Sequence, residues 1–506
     1  MSRPAVDRVN FTISTLVLVA VSVPLLVFPA ASAAILLRTY DWIAEHFGWL
    51  YLISGAAAVL FLLALALSRF ATVKLGEGDP EFSTPSWAAM LFSAGVGAGL
   101  MYWAAIEWAS YLAAPPFGAE PYSTEAATWA SAYGLHHWGV VAWALYCVPT
   151  LAIAYPFYVR KVPHLKYSIA CDYWLAGHET GPAARLLDSL FMIALIGGAG
   201  SSLGFSTPLI AALVARLTGI ETGFLLEMGV VGICVVLFAG SVYLGLRRGI
   251  RRLSDLNMIL AFVLLALILV FGDTLFLLNS AVNAIGHSLQ NIVRMSLWTD
   301  PFDNTGFVKD WTVFYWAWWV AYGPFVGLFV TRISRGRTLR AVIIGMLSYG
   351  SAGCWLFYLI LGNHGLGLQV SGTLDLVALM AASDGNQAII AGLDVLPASA
   401  LIVGLLCVVS TIFCATTYDS ASYTLAAGAT RDMHPSEDPA RWHRLFWAFA
   451  IAILPIALMY VGGIREAQTA VLVVSLPLLF TLWLAAVALV KSLQQDQANL
   501  RKTKVE

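Results

Sequence analysis

Aromatic side chains crowd two stretches of this sequence in a pattern that suits a cation. Residues 311–322 read WTVFYWAWWVAY and contain Trp311, Phe314, Tyr315, Trp316, Trp318, Trp319 and Tyr322. On a helix Trp318 and Tyr322, four apart, share a face, as do Trp319 and Tyr322, three apart. A second stretch, 137–146, adds Trp138, Trp143 and Tyr146. Ring faces attract an ammonium group through their quadrupoles, by about 0.5–2 kcal/mol per ring. Two readings compete with a box for a quaternary ammonium: core packing, and an aromatic belt at the headgroup level. The belt suits Trp311. It does not suit Trp143, Trp318 and Trp319, which lie about 10 Å or more along their helices at 1.5 Å per residue. The pattern favours the box over core packing.

Ionisable residues inside the apolar runs are few: Glu107, His136, His137, Glu227 and Asp419, with Asp188, Asp255 and Asp273 nearer the ends of such runs. Such residues are functional candidates by default. None falls among the box aromatics in sequence except the two histidines beside Trp138, which read as packed and hydrogen-bonded. A box without a carboxylate fits a neutral zwitterion better than a lone cation. No nucleophile is paired with a base and no His/Cys cluster is spaced for a metal, so the chain reads as no enzyme. The six cysteines lie mostly in apolar runs and read as small buried hydrophobes. The stretch 410–424, STIFCATTYDSASYT, gathers Thr416, Thr417, Asp419 and Ser420. Hydroxyls and free backbone carbonyls are hard oxygen ligands that suit Na+. Ser and Thr that bond back to their own helix would look the same, and both readings stand.

The elements that must position these residues are membrane helices. The 506-residue chain is 59% hydrophobic and only 11% charged, against roughly 25% charged in soluble domains. Net charge is −1, which offers nothing to a nucleic acid. The first apolar run is too long for a cleavable signal peptide. Taking about 20 apolar residues per crossing predicts twelve spans: 11–37, 47–70, 85–112, 125–157, 186–215, 223–246, 253–275, 311–331, 339–362, 393–427, 441–461 and 466–490. The stretch 277–295 is amphipathic and is expected to lie along the surface. With the N-terminus inside, all but Arg38, Arg216, Arg294, Lys309 and Arg465 of the 28 Lys and Arg fall on the inner side. That bias places both termini in the cytoplasm. Two spans look interrupted, one by Gly95, Gly97 and Gly99 and the other by Gly323-Pro324. They stand five spans apart, which predicts two inverted five-helix repeats, 85–275 and 311–490. Residues 1–84 precede them with two helices, 276–310 carry the surface helix, and 491–506 form a short tail.

These stretches resemble the betaine/carnitine/choline transporter family. WTVFYWAWWVAYGPFVGLFVTRISRGRT (311–338) is close to the family signature, and HWGVVAWALY (137–146), SAGVGAGLMYW (93–103), SSLGFSTPLI (201–210) and TTYDSASYTLA (416–426) agree with it. The resemblance runs from about residue 80 to about 480. It implies an all-α membrane protein of twelve transmembrane helices with the LeuT-like inverted repeat, a homotrimer, and a multi-pass place in the cell inner membrane. It implies a substrate cage of Trp138, Trp143, Tyr146, Trp318, Trp319 and Tyr322. Tyr322 stands where many betaine carriers have a third tryptophan and carnitine-type members have tyrosine. The family's sodium site would use Phe413, Thr416 and Thr417 with the backbone carbonyls of Ser93 and Val96. Sodium-independent carnitine exchangers replace sodium with an arginine in the seventh span and a methionine in the eighth, where this chain has Asn257 and Val326. Proton-coupled choline members carry an aspartate at the position of Gly99. The expectation is a Na+-coupled symporter for a glycine betaine-like methylated zwitterion, with no cofactor beyond Na+. A Na+-independent carnitine/betaine exchanger is the alternative.

Overall fold

The computed structural model describes residues 5–94, 97–178, 180–244, 247–431, 433, 437–461 and 464–503. Among these residues there are helices and no strands, apart from isolated antiparallel bridges between Val6 and Thr430 and between Lys74 and Thr338. Helix α1 (Arg8–Val27) opens where the Asp7 carboxylate accepts from the Val9 amide at 3.1 Å. Phe28 breaks it, and Pro29 occupies the first turn of α2 (Pro29–Leu67), where a missing N–H costs nothing. Helices α3 (Thr84–Ala94) and α4 (Ala98–Ala113) meet at a bend of 65°. Helices α5 (Thr124–His137) and α6 (Val140–Tyr158) part at Trp138-Gly139. A Cβ on Gly139 would lie 2.3 Å from the Leu135 carbonyl oxygen and 2.6 Å from Trp355 Nε1, so only glycine fits that corner.

Then follow α7 (Pro182–Thr218), α8 (Phe224–Leu244), α9 (Arg247–Phe271) and α10 (Thr274–Leu297), the last capped by Asp273. Helix α11 (Val308–Ile333) begins with a π-helical turn, and α12 (Leu339–Val370) contains two. Short α13 (Leu376–Ala382) and α14 (Gly385–Asp394) start at the capping carboxylates of Asp375 and Asp384. The chain closes with α15 (Ser399–Gly428), α16 (Arg441–Val461) and α17 (Ile464–Thr503).

Among the described residues, with α5 and α6 taken together as one crossing, ten segments are long and apolar enough to cross a membrane, or eleven if the bent α3/α4 pair counts as one more. Twelve were expected. The difference lies at α8, whose described apolar run, Phe224–Leu237, is shorter than a crossing. The surface stretch 277–295 is α10. It buries Leu277, Ala284, Ser288 and Met295 and exposes Leu275, Leu278, Val282, Leu289, Val293 and Leu297 along the opposite stripe. The helices between 363 and 394 were not foreseen. Nor was the continuation of α17 through the supposed tail, where Asp496 accepts from Arg160 at 3.0 Å and from Tyr155 at 2.7 Å.

The expectation of two interrupted spans holds for only one of them. Pro324 sits inside the continuous helix Phe314–Ile333, and Gly323 and Gly327 serve packing instead. A Cβ on Gly327 would stand 3.2 Å from the Thr150 backbone nitrogen, and one on Gly323 would stand 3.4 Å from the Leu145 oxygen. Both glycines let α6 and α11 run close together, as small residues do between membrane helices. Residues 71–75 and 336–340 are joined by four backbone hydrogen bonds, including Leu75 N to Arg337 O at 2.8 Å and Gly336 N to Leu75 O at 2.7 Å. Gly336 has φ +79°, and a Cβ there would lie 2.6 Å from the Asp79 oxygen. This clip joins the chain leading into α3 to the chain leaving α11.

Candidate functional site

Helix α11 presents Tyr315, Trp318 and Trp319 as three nearly parallel rings. Their centroids lie 6.1–6.4 Å apart and their planes within 16–22° of one another. Trp138, at the α5/α6 corner, stands edge-on to Trp319 at 4.8 Å and to Trp318 at 5.9 Å. Tyr146, two turns into α6, meets Trp319 edge-on at 5.2 Å. Tyr322 reaches Trp318 at 6.4 Å. Trp143 touches only Tyr146 within the expected cage, at 5.6 Å. It is wedged against α12, where a Cβ on Gly350 would overlap its ring at 2.3 Å. The structure therefore gathers Trp138, Tyr146, Trp318, Trp319 and Tyr322 and sets Trp143 one ring outside them.

The glycine stretch meets the same rings. A Cβ on Gly99 would approach Trp318 and the Ser202 hydroxyl, each at 3.2 Å. Phe205 on α7 closes another side, 5.7 Å from Trp318. The indole N–H of Trp318 is buried with no partner, so it is a donor available to an acceptor.

The sequence placed no carboxylate within the box, and the nearest one described stands one ring layer behind it. Helices α4 and α11 bring Glu107, 1% exposed, against Tyr315, one helical turn before Trp318 and Trp319. Glu107 Oε1 accepts from the Tyr111 hydroxyl, and Oε2 accepts from those of Tyr315 and Tyr358, the latter at 2.5 Å. The Tyr111 oxygen lies 2.8 Å from His137 Nδ1, and His137 Nε2 lies 3.1 Å from the Thr312 hydroxyl. The His137 carbonyl accepts from the Trp319 indole at 2.8 Å. His137 is thus packed and hydrogen-bonded, as its sequence setting implied. Sequence spacing offers Glu107–Tyr111 as an i,i+4 pair, and nothing local joins either to Tyr315 or Tyr358.

At the expected ion site, the hydroxyls of Thr416 and Thr417 both donate to the Phe413 carbonyl, at 3.0 and 2.8 Å. Ser93, near the end of α3, donates its hydroxyl to the Ala89 carbonyl at 2.8 Å. Val96 lies outside the described residues. Asn257 on α9 is buried, donates at 3.2 Å to the carbonyl of Val409, one turn before Phe413 on α15, and its Oδ1 has no partner. The threonine hydroxyls thus bond back to their own helix, and their remaining lone pairs, with the carbonyls, are the hard oxygen donors that Na+ would require. Asp419 belongs elsewhere, paired with Arg444 at 3.2 Å. Among the described residues no group of three or more His, Cys, Asp or Glu is placed to hold a metal ion. All six cysteines are free, five of them buried.

Comparison with known proteins places the chain in a family. The profile of the BCCT, or betaine/carnitine/choline, family of transporters matches residues 9–498. A protein of Escherichia coli named as the uncharacterized transporter YeaV is 35% identical over 450 residues, which is 89% of this chain and 94% of that protein. A carnitine transporter of Acinetobacter baumannii is 33% identical over 497 residues, covering 98% of this chain and 90% of its own. This multi-pass membrane protein is a transporter, and it belongs to the betaine/carnitine/choline transporter family.

Proposed function

We propose that the chain is a Na+-coupled symporter that imports a small methylated zwitterion by alternating access. The observation that carries this reading is the ring cluster of Trp138, Tyr146, Trp318, Trp319 and Tyr322, with an unpartnered indole N–H beside it. The rings suit the methylated ammonium and the free donor suits the carboxylate. Trp143 completes the cage from outside by fixing Tyr146. Na+ would be held by Phe413, Thr416 and Thr417 on α15 with the carbonyls of Ser93 and Val96. Cation and substrate then each stabilise the occluded form, so their bindings are reciprocally coupled. The twelve-span inverted repeat, the inner membrane, inward-facing termini and a homotrimer belong to the same reading. The exposed apolar stripe of α10 supports the trimer as a surface for a second copy.

Sodium-independent exchange of carnitine-type compounds is the second reading. It is favoured by Tyr322 and by the relative named as a carnitine transporter. The deciding experiment is uptake of radiolabelled glycine betaine and carnitine into proteoliposomes, with and without an inward Na+ gradient. Uptake that requires the gradient establishes symport. Uptake indifferent to Na+, yet driven by substrate loaded inside, makes the protein an exchanger.

A further inference from the structure

We propose that Glu107 is a buried counter-charge to the aromatic box, set one ring layer behind it and delivered through tyrosine hydroxyls. This deepens the onium reading and rests on it. A tyrosine hydroxyl has one proton to donate, and three of them converge on the Glu107 oxygens, from Tyr111, Tyr315 and Tyr358. Three hydroxyls placed on its two oxygens favour the charged form of this carboxyl over the neutral one. The network behind it runs the same way. With Thr312 assigned as donor to His137 Nε2, the His137 Nδ1–H donates to the Tyr111 oxygen and the ring stays neutral. Every proton in the chain Thr312–His137–Tyr111 is then directed toward Glu107, and no Lys or Arg is paired with that carboxylate among the described residues.

A lone buried charge is costly, so it persists where it acts on something. Two of the rings that bond or flank it also face the substrate cage. Tyr315 lies parallel to Trp318 and Trp319 at 6.2 and 6.4 Å. Trp138 packs 5.8 Å from both Tyr315 and Tyr358. An ammonium seated against Trp318 and Trp319 would sit about 10 Å from the carboxylate across closely packed rings. At an effective dielectric near 20 that attraction corresponds to roughly tenfold in affinity. Quadrupoles and the buried charge would then act on the same head, while a carbon isostere would receive neither.

The test compares Glu107→Gln with wild type in titrations of the purified, folded protein in Na+. The probes are two matched pairs: glycine betaine with 3,3-dimethylbutanoate, and choline with 3,3-dimethylbutan-1-ol. Each pair differs only in a quaternary nitrogen against a quaternary carbon. Glutamine keeps the size and the acceptor oxygen and removes the charge. The expected result is that the preference for nitrogen over carbon falls about tenfold, with the carbon isosteres unchanged or bound better. Equal weakening of both members makes Glu107 a purely structural residue and overturns the proposal, as does an unchanged preference. If Glu107→Gln does not yield folded protein, Tyr358→Phe, which strips one proton donor from the charge, is read in the same way. It should shift the preference in the same direction by a smaller factor, and parallel loss again overturns the idea. Wild type that binds neither onium probe, nor carnitine titrated beside them, sinks the proposed function itself, a result distinct from any pattern in the variants.

Discussion

The proposed substrate box and the proposed ion site are built by opposite means. Bonds in the box cross between helices. Trp319 on α11 donates to the His137 carbonyl on α5, while Tyr315 on α11 and Tyr358 on α12 converge on Glu107 of α4. Bonds at the ion site stay local: Thr416 and Thr417 return to Phe413 in their own helix, and Ser93 returns to Ala89 in its own. Cross-helix bonds hold a geometry whether or not a ligand is present. Hydroxyls bonded to their own backbone hold nothing together, so on the proposed function bringing α3 and α15 around Na+ would be left to the cation. The ring cluster is preorganised by its cross-helix bonds, and the proposed ion site is where binding energy would change the arrangement of helices.

The largest effect should follow from Trp319→Ala. It removes a ring of the cage and the bond to His137, and it leaves a void in the bundle. Onium affinity should fall on the order of a hundredfold, from one ring and one hydrogen bond together. Stability should fall by about 3–5 kcal/mol, as for other buried tryptophans cut to alanine. Binding titration beside a thermal melt checks both, and an unaltered melt would break the claim that the box is held by cross-helix links. A smaller and more selective disturbance is Gly134→Ala. The new Cβ would lie 2.3 Å from the Tyr358 ring and must push that tyrosine off Glu107. Overpacking of this kind costs about 1–3 kcal/mol. Substrate affinity should drop several-fold while the Na+ concentration for half-maximal uptake, measured at saturating substrate, stays put. A parallel change in both would show the two sites to be less separate than their bonding suggests.

Much of this was legible in the sequence because the signals are local. Trp318, Trp319 and Tyr322 share a face by spacing alone, and the apolar runs mark nearly all the crossings. The resemblance of 311–338 to one family, not spacing, joined the α11 rings to Trp138 and Tyr146 in one cage. Glu107 shows the limit. It was recognisable as an unusual intramembrane acid, yet its bonds to Tyr315 and Tyr358 span more than two hundred residues and depend on how α4, α11 and α12 cross. Gly323-Pro324 shows another limit. Glycine and proline read as a break, but neighbouring helices support proline in membrane helices, and these glycines instead admit the α6 backbone. The split between Trp138 and Gly139 was missed because the hydropathy of 125–157 is continuous across it. Helices α13 and α14, of seven and ten residues, are too short to register as crossings by hydropathy.

The ion site supplies the smallest effects and the sharpest contrast. Thr416→Ala with Thr417→Ala removes two hydroxyls whose bonds are internal to α15. Stability should change by no more than about 1 kcal/mol, while half-saturating Na+ rises about tenfold as two oxygen ligands vanish. Ser93→Ala should do less still. The expected ligand there is the backbone carbonyl, and the hydroxyl is already bonded to Ala89. Na+ dependence of uptake should stay within about twofold of wild type, and the melt should be unmoved, because that bond only competes with the helix's own. If Ser93→Ala instead weakens Na+ as much as the threonine pair does, the Ser93 hydroxyl is itself a ligand. It would then have to leave Ala89 when Na+ binds, and α3 would be the helix that the cation reorganises.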